Sequence, residues 1–162
     1  MPRGRAWLHY GISPDVFATP RKTVYKCLVT QGYDKSNFVL RRTHGAGFGL
    51  YAARTFAEGE PVIEYTGRHI PTREADKLKT RYLFEIDRHW TIDGSARSNT
   101  ARYINHSCDP NCEALLEDGR VMLYALREIR AGEELTFDYG EEYFDEFIRP
   151  KGCACAHCGD RP

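Results

Sequence analysis

Residues 101–112 read ARYINHSCDPNC. An apolar and aromatic pair, Tyr103 and Ile104, leads into a run in which nearly every side chain can form hydrogen bonds or bind a metal. A plain turn needs only a few such residues, so this segment must do more than reverse the chain. Its two cysteines, Cys108 and Cys112, also make it one half of a candidate metal site.

The composition around this segment is that of a soluble domain. The chain has 162 residues, which suits one domain with a core that needs no disulfides. Lys plus Arg and Asp plus Glu number 23 each, and this balance argues against a general binder of nucleic acid or membrane surfaces. The basic start is followed by no apolar run, so we expect no membrane segment and a cytoplasmic or nuclear location.

The apolar and turn-forming residues predict many short strands and little helix, and hence a β-rich α+β fold. Asp118-Gly119 predicts a tight hairpin, since both residues tolerate the positive φ angles that such turns need. Pro71 and Thr72 open one predicted short helix over 71–79. Strands are predicted within 24–29, 38–42, 61–67, 82–87, 90–93, 112–126 on either side of the hairpin turn, and 133–140.

Two stretches of the chain, 54–63 and 127–136, share a turn, a Gly-Glu pair and the start of a strand. This similarity predicts that one strand-entry geometry is used twice.

Three cysteines lie close together in the tail, in the sequence CACAHC at 153–158. In a reducing compartment such clusters more often bind metal than form disulfides, and zinc takes four tetrahedral ligands. The fourth ligand would be Cys108 or Cys112, with His157 a weaker candidate. An iron–sulfur cluster could use the same thiolates but ranks below zinc, and an exposed tail with free thiols is the weakest interpretation.

A glycine-rich stretch and two tyrosines could form part of a binding site, but neither feature indicates a function by itself. The glycines of GAGFGL (45–50) permit close approach of a ligand to the backbone, although a glycine-rich bend alone explains them. Tyr65 and Tyr139 each end a predicted strand near a glycine, where aromatic faces could hold an amine or a cation.

Together these motifs resemble the SET domain of protein-lysine methyltransferases. RYINHSCDPN (102–111) and ELTFDYG (134–140) resemble the two signature segments of that family, and GAGFGLYA (45–52) resembles its cofactor turn. The cysteine tail is similar to its post-SET zinc segment. The resemblance implies an N-terminal extension (1–36), a SET domain (37–148) and a post-SET zinc tail (149–162).

The implied fold consists of small curved sheets with a pseudoknot and a C-terminal zinc-binding post-SET segment. The pseudoknot would bring NHSC (105–108) beside FDYG (137–140). The dense segment at 101–112 would then contact the cofactor, form the knot and supply a zinc ligand.

The implied activity is transfer of a methyl group from S-adenosylmethionine to a lysine of a protein substrate. Phe137 stands where the family varies between Phe and Tyr, and Phe is associated with di- and trimethylation.

The resemblance also implies the residues of the site. The catalytic residues would be Tyr65, Phe137 and Tyr139. The implied zinc ligands are Cys108, Cys153, Cys155 and Cys158. The implied cofactor-binding residues are Ala46, Gly47, Phe48, Tyr82, Arg102, Asn105, His106 and Tyr139.

The sequence departs from the usual family pattern at three places. Phe48 replaces the commoner Trp, and Arg68 stands where Glu is usual. The tail spacing, Cys-x-Cys-x2-Cys, is two residues shorter than the usual form.

A catalytically silent SET-like module that binds a peptide or partner is the alternative function. Degenerate members usually lose the Asn-His pair or the terminal Tyr, and this chain keeps both, which favours the enzyme. A zinc-ribbon interaction module would explain the tail alone. The substrate stays open between a histone tail, a ribosomal protein and another protein. The acidic stretch 141–147 suits a basic peptide as well as it suits a solvated helix face.

Overall fold

Short strands dominate the protein, as the β-branched and aromatic residues predict. The structure is a computed structural model that describes residues 34–43 and 47–159. The strand predicted within 24–29 and the candidate cofactor residue Ala46 lie outside the described residues. The strands are β1 (Phe38–Thr43), β2 (Gly47–Ala52), β3 (Pro61–Tyr65), β4 (Arg68–Pro71), β5 (Leu83–Glu85), β6 (Trp90–Asp93), β7 (Asn105–His106), β8 (Cys112–Glu117), β9 (Arg120–Ala125) and β10 (Thr136–Phe137).

Helical segments are few and short. The α-helical turns are α1 (Thr72–Ala75), α2 (Glu141–Tyr143) and α3 (Ala156–Gly159). A π-helical turn, Phe144–Ile148, follows α2. Among the described residues, 3-10 turns occupy Lys35–Asn37, Thr100–Tyr103 and Arg149–Lys151. In the described part of the chain, no helix is long and apolar enough to cross a membrane.

Within residues 34–43 and 47–159 the strands form three small sheets, which confirms the predicted β-rich α+β fold. β1 and β2 pair antiparallel, and β4, β6 and β5 form a three-stranded antiparallel sheet in that order. The central sheet has the order β3-β9-β8-β10-β7. Its buried side chains form much of the main core, in which Leu123 of β9 and the neighbouring residues Phe56, Ile129 and Leu135 are fully enclosed.

The β8–β9 hairpin confirms the prediction from Asp118-Gly119. Asp118 has a φ of 50° and Gly119 a φ of 77°, the positive values that this type of two-residue turn requires. The strands stay in register from the turn down to the pair Cys112 and Ala125.

The predicted reuse of one strand-entry geometry is also confirmed. Gly59 and Gly132 occupy matching turn positions with φ angles of 75° and 93°. The two copies face each other, because Phe56 and Ile129 exchange backbone hydrogen bonds of 2.9 Å in both directions. The two turns therefore support one another across the core.

Two elements are shorter than the sequence predicts. The helix predicted over 71–79 ends at Ala75, after which the backbone closes tighter i to i+3 bonds such as Leu78 N–H to Ala75 C=O, 2.9 Å. The strand predicted over 133–140 forms a regular strand at Thr136 and Phe137, and Glu134 adds an isolated bridge with Tyr51. Of the glycine-rich stretch, residues 47–50 belong to β2, and residues 45–46 lie outside the described residues.

The side chain of Asn111 explains why β10 is short. This buried amide donates to the Glu134 carbonyl at 2.8 Å and accepts from the Thr136 N–H at 2.9 Å. Asn111 thereby replaces backbone partners that a longer ladder would supply.

The short strand β10 lies between β8 and β7 and pairs parallel with both. Thr136 is opposite Asn105, and Phe137 is opposite His106. This pairing brings the two signature segments side by side, as expected for the pseudoknot.

Candidate active site

An open groove of about 1320 Å³ lies beside the β7–β10 pair. It exceeds the ordinary volume of a small-molecule pocket, about 300–1,000 Å³, and so has room for more than one ligand. Segments from β2, β7, β10 and the C-terminal tail border it. The sequence-predicted residues that line it are Gly47, Phe48, Tyr65, Tyr82, Arg102, Asn105, His106, Phe137, Tyr139, Cys153 and Cys155.

The side-chain amide of Asn105 is held by two hydrogen bonds. Its Nδ2 donates to the Phe48 carbonyl at 3.0 Å and to Glu134 Oε1 at 2.8 Å. Both amide hydrogens are thus engaged, while no described residue donates to Oδ1. Asn105 therefore offers the groove an acceptor rather than a donor.

His106 links the tyrosine motif to the cysteine cluster. Its Nδ1 accepts the backbone N–H of Tyr139 at 3.2 Å, and its Nε2 lies 3.4 Å from Cys108 Sγ. Because Nδ1 is an acceptor, the neutral ring carries its proton on Nε2, which then donates to the sulfur. Burial lowers the pKa of His106, and the nearby Asp138 carboxylate only partly offsets this, so the neutral ring is favoured.

The hydroxyl groups of the two predicted catalytic tyrosines both donate to backbone carbonyls. Tyr139 donates to the Ile104 carbonyl at 2.7 Å, and Tyr65 donates to the Tyr82 carbonyl at 3.1 Å. Burial raises the pKa of both phenols well above the usual value, so both stay neutral. With its proton engaged, each oxygen retains lone pairs that can accept a hydrogen bond.

Aromatic rings form a continuous row behind these hydroxyls. The ring centroids of Tyr65 and Phe84 are 5.5 Å apart, and those of Phe84 and Phe137 are 6.5 Å apart. Phe137 lies 4.8 Å from Tyr139, which makes an edge contact with Tyr143 at 5.0 Å. This row gives the groove an apolar wall with electron-rich faces, which suits a cation or an amine.

Arg102 lines the groove next to Tyr82. Its guanidinium lies 3.9 Å from the ring centroid of Tyr82 and donates to the Ser95 carbonyl. Its Nε is buried and has no hydrogen-bond partner among the described residues. Arg102 thus supports the Tyr82 ring by a cation–π contact.

The four predicted zinc ligands converge at the end of the groove. The sulfurs of Cys108, Cys153, Cys155 and Cys158 all lie within 4.8 Å of one another. Cys108 Sγ is 3.8 Å from Cys153 Sγ and 3.6 Å from Cys158 Sγ. Tetrahedral zinc with bonds of about 2.3 Å separates its sulfurs by about 3.8 Å, so this cluster fits a zinc ion.

The structure also distinguishes between the candidates for the fourth ligand. The cluster contains Cys108 but neither Cys112 nor His157. Cys112 begins β8 with its side chain in the core, where burial raises the pKa of its thiol to about 12. Within the cluster the thiol pKa shifts differ in direction, since burial raises the pKa of Cys108, whereas at Cys155 hydrogen bonds from the Cys108 and Cys158 amides outweigh burial and lower the pKa to about 6. The positions of the sulfurs therefore decide between the candidates.

The sequence reasoning missed four residues that shape the site. Phe84 and Tyr143 complete the aromatic row, and Asn111 holds β10 in place. Glu134 binds Asn105. The available signal for Glu134 was a carboxylate within the predicted strand 133–140, but its partners could not be predicted from spacing.

Comparisons with known proteins agree with this geometry. The family model described as SET domain matches residues 47–140. The chain is 40% identical over 129 residues to "Histone-lysine N-methyltransferase trithorax" of Drosophila virilis, covering 72% of this chain and 3% of that protein. It is 40% identical over 126 residues to "Histone-lysine N-methyltransferase, H3 lysine-4 specific" of Saccharomyces cerevisiae, covering 68% and 12%. To "Histone-lysine N-methyltransferase set-2" of Caenorhabditis elegans it is 40% identical over 131 residues, covering 73% and 8%. The chain therefore spans a small part of the length of these relatives.

The cysteine cluster predicts a metal content that elemental analysis of the purified protein can measure. We expect about one zinc per chain in the unmodified protein and a large loss in Cys155→Ser, because tetrahedral zinc needs all four sulfurs. Cys112→Ala is the matched control and should keep its zinc, since Cys112 lies outside the cluster. Full zinc in Cys155→Ser would contradict the assigned ligand set, and iron in place of zinc would favour the iron–sulfur alternative.

Proposed function

The chain belongs to the SET-domain family, and from this premise we propose that it is a protein-lysine N-methyltransferase that uses S-adenosylmethionine. The observation that carries the proposal is the β7–β10 pairing, which puts Asn105 and His106 beside Tyr139 at one groove. The named relatives are histone-lysine methyltransferases, which supports the same reaction class here.

The residues of the groove fit this cofactor. S-Adenosylmethionine, when bound, supplies a methyl group on a positively charged sulfonium. The free acceptor of Asn105 suits the cofactor's ammonium group, and the aromatic row suits its positive charge. We propose that the remaining contacts come from Ala46, Gly47, Phe48, Tyr82, Arg102, His106 and Tyr139.

The reaction also needs a neutral lysine amine, although free lysine has a pKa of about 10.4. A narrow apolar channel disfavours the charged form and lowers that pKa. The phenol oxygens of Tyr65 and Tyr139, whose protons bind carbonyls, can accept the hydrogens of the amine and aim its lone pair. Such positioning supplies a large part of the rate enhancement, and we assign no residue as general base.

We further propose that the enzyme makes di- and trimethylated products. Phe137 is buried, and its ring centroid lies 4.8 Å from that of Tyr139. Phe137 offers no hydroxyl to bind the amine or a water molecule, so the channel keeps space for added methyl groups.

The substrate proposed here is a basic protein segment such as a histone tail, which implies a nuclear location. Glu141 and Glu142 are exposed in the turn that follows Tyr139, and they favour a positively charged partner. We take 37–148 as the catalytic domain and 149–162 as a tail that zinc would hold against the groove.

Titration of S-adenosylmethionine into the zinc-loaded protein, followed by calorimetry, tests the cofactor site. We expect saturable binding by the unmodified protein and at least a tenfold weaker affinity in Asn105→Ala, which loses the acceptor. Equal binding by both proteins would refute the role of Asn105. An absence of binding by the unmodified protein would favour the silent peptide-binding module.

Tyr139→Phe tests the catalytic assignment. We expect the rate of methyl transfer to a histone H3 peptide to fall roughly 100-fold, because the amine loses an orienting oxygen. The protein should stay folded, since one hydrogen bond to the Ile104 carbonyl is worth only about 1 kcal/mol. A near-normal rate in the folded variant, confirmed by thermal unfolding, would refute the role of the hydroxyl.

Phe137→Tyr tests the proposed degree of methylation. The added hydroxyl would lie in the buried space beside Tyr139 and occupy the room that further methyl groups need. Mass spectrometry of the peptide product should show a shift from di- and trimethyl-lysine toward monomethyl-lysine. An unchanged product distribution at equal turnover would contradict the proposal.

A further inference from the structure

Glu134 joins three separate elements through one side chain. Its Oε1 accepts the Asn105 Nδ2 hydrogen at 2.8 Å. Its Oε2 accepts the Thr43 hydroxyl at 3.1 Å and the Tyr51 hydroxyl at 3.2 Å. Hydrogen bonds to a charged acceptor are stronger than those between neutral groups, so this carboxylate is a firm anchor.

The partners of Glu134 border the predicted cofactor turn. Thr43 is the last residue of β1 and Tyr51 lies in β2, the two strands on either side of residues 44–46. Asn105 belongs to β7, on the other side of the carboxylate. One carboxylate therefore sets the distance between these strands and Asn105.

The surrounding backbone leaves the Glu134 side chain little freedom. A Cβ at Gly49 would lie 2.2 Å from Glu134 Oε1, so a larger residue there would displace the carboxylate from this position. The Glu134 carbonyl accepts the Asn111 amide at 2.8 Å, and its backbone forms a bridge with Tyr51. The Glu134 carboxylate is thus restricted by the backbone at Gly49, by the backbone contacts of Glu134 itself and by its three hydrogen-bond donors.

We propose that Glu134 is the positioning residue of the cofactor site, which locks the Asn105 amide with its oxygen toward the ligand. The Phe48 carbonyl alone engages only one of the two amide hydrogens. Without Glu134 the amide can rotate and present its NH2 group, which would repel a ligand ammonium. This inference rests on the proposed function and adds to it the residue that sets cofactor affinity.

Attraction of the cationic cofactor by the negative charge is a competing explanation, and Glu134→Gln separates the two. Gln keeps the length of the side chain and an acceptor for Asn105, and the hydroxyls of Thr43 and Tyr51 can accept from its amide. A positioning role predicts that Gln largely preserves affinity. A purely electrostatic role predicts that Gln is as harmful as Ala.

Calorimetric titration of S-adenosylmethionine into zinc-loaded variants measures this difference. We expect Glu134→Ala to raise the Kd at least about tenfold and Glu134→Gln to raise it by no more than about threefold. Glu128→Ala, at an exposed carboxylate that pairs with Arg130, is the control and should match the unmodified protein. An unchanged Kd in Glu134→Ala, or equal losses in Ala and Gln, would overturn the proposal.

A second measurement does not depend on cofactor binding. In the cofactor-free protein, the NMR signals of the Asn105 side-chain amide should shift and exchange faster with solvent in Glu134→Ala, but not in Glu128→Ala. Unchanged signals would refute the positioning role, and this result does not require that the unmodified protein bind S-adenosylmethionine. Failure of the positioning role can therefore be distinguished from failure of the proposed function. If Glu134→Ala does not fold, Glu134→Asp replaces it, because the shorter side chain also fails to reach Asn105.

Discussion

The parallel pairing of β7 with β10 is the constraint on which the rest of the site depends. It consists of two residue pairs, Thr136 with Asn105 and Phe137 with His106. Parallel strands need a long connection, and here the β8–β9 hairpin fills it. Such a short ladder gains little from its own hydrogen bonds, so its position relies on Asn111 and on the buried ring of Phe137. The groove exists because these contacts hold two distant segments together.

One consequence is that neighbouring residues on β7 serve different parts of the site. Asn105 donates hydrogen bonds to Phe48 and Glu134 in the proposed cofactor site, whereas His106 contacts Tyr139 and Cys108. The ring of His106 therefore touches both the proposed catalytic residue and a proposed zinc ligand. The His106 side chain therefore connects the cysteine cluster to the backbone of Tyr139. Metal sites are often connected to their surroundings through such hydrogen-bonded neighbours.

Local chemistry made some features predictable from sequence and left others out of reach. The hairpin turn and the paired glycine turns need positive φ angles that few residue types adopt. The turns at Asp118-Gly119 and Gly132 could therefore be predicted from the residue types alone. The residue types alone left Cys108 and Cys112 open as the fourth ligand, and the family resemblance implied Cys108. The structure brings the Cys108 sulfur into the cluster. Glu134 was unpredictable, since its partners come from three elements that are distant in sequence.

The hydrogen bonds of the groove also restrict the chemistry that its residues can perform. The phenol protons of Tyr65 and Tyr139 bind backbone carbonyls, and the His106 Nδ1 accepts a backbone amide. The two phenols are neutral and the His106 Nδ1 lone pair is already engaged, so none of these groups is arranged to take a proton from a substrate. The arrangement is therefore suited to orienting a reactant and less suited to proton transfer. This is consistent with a reaction in which the substrate amine arrives uncharged and the protein aims it.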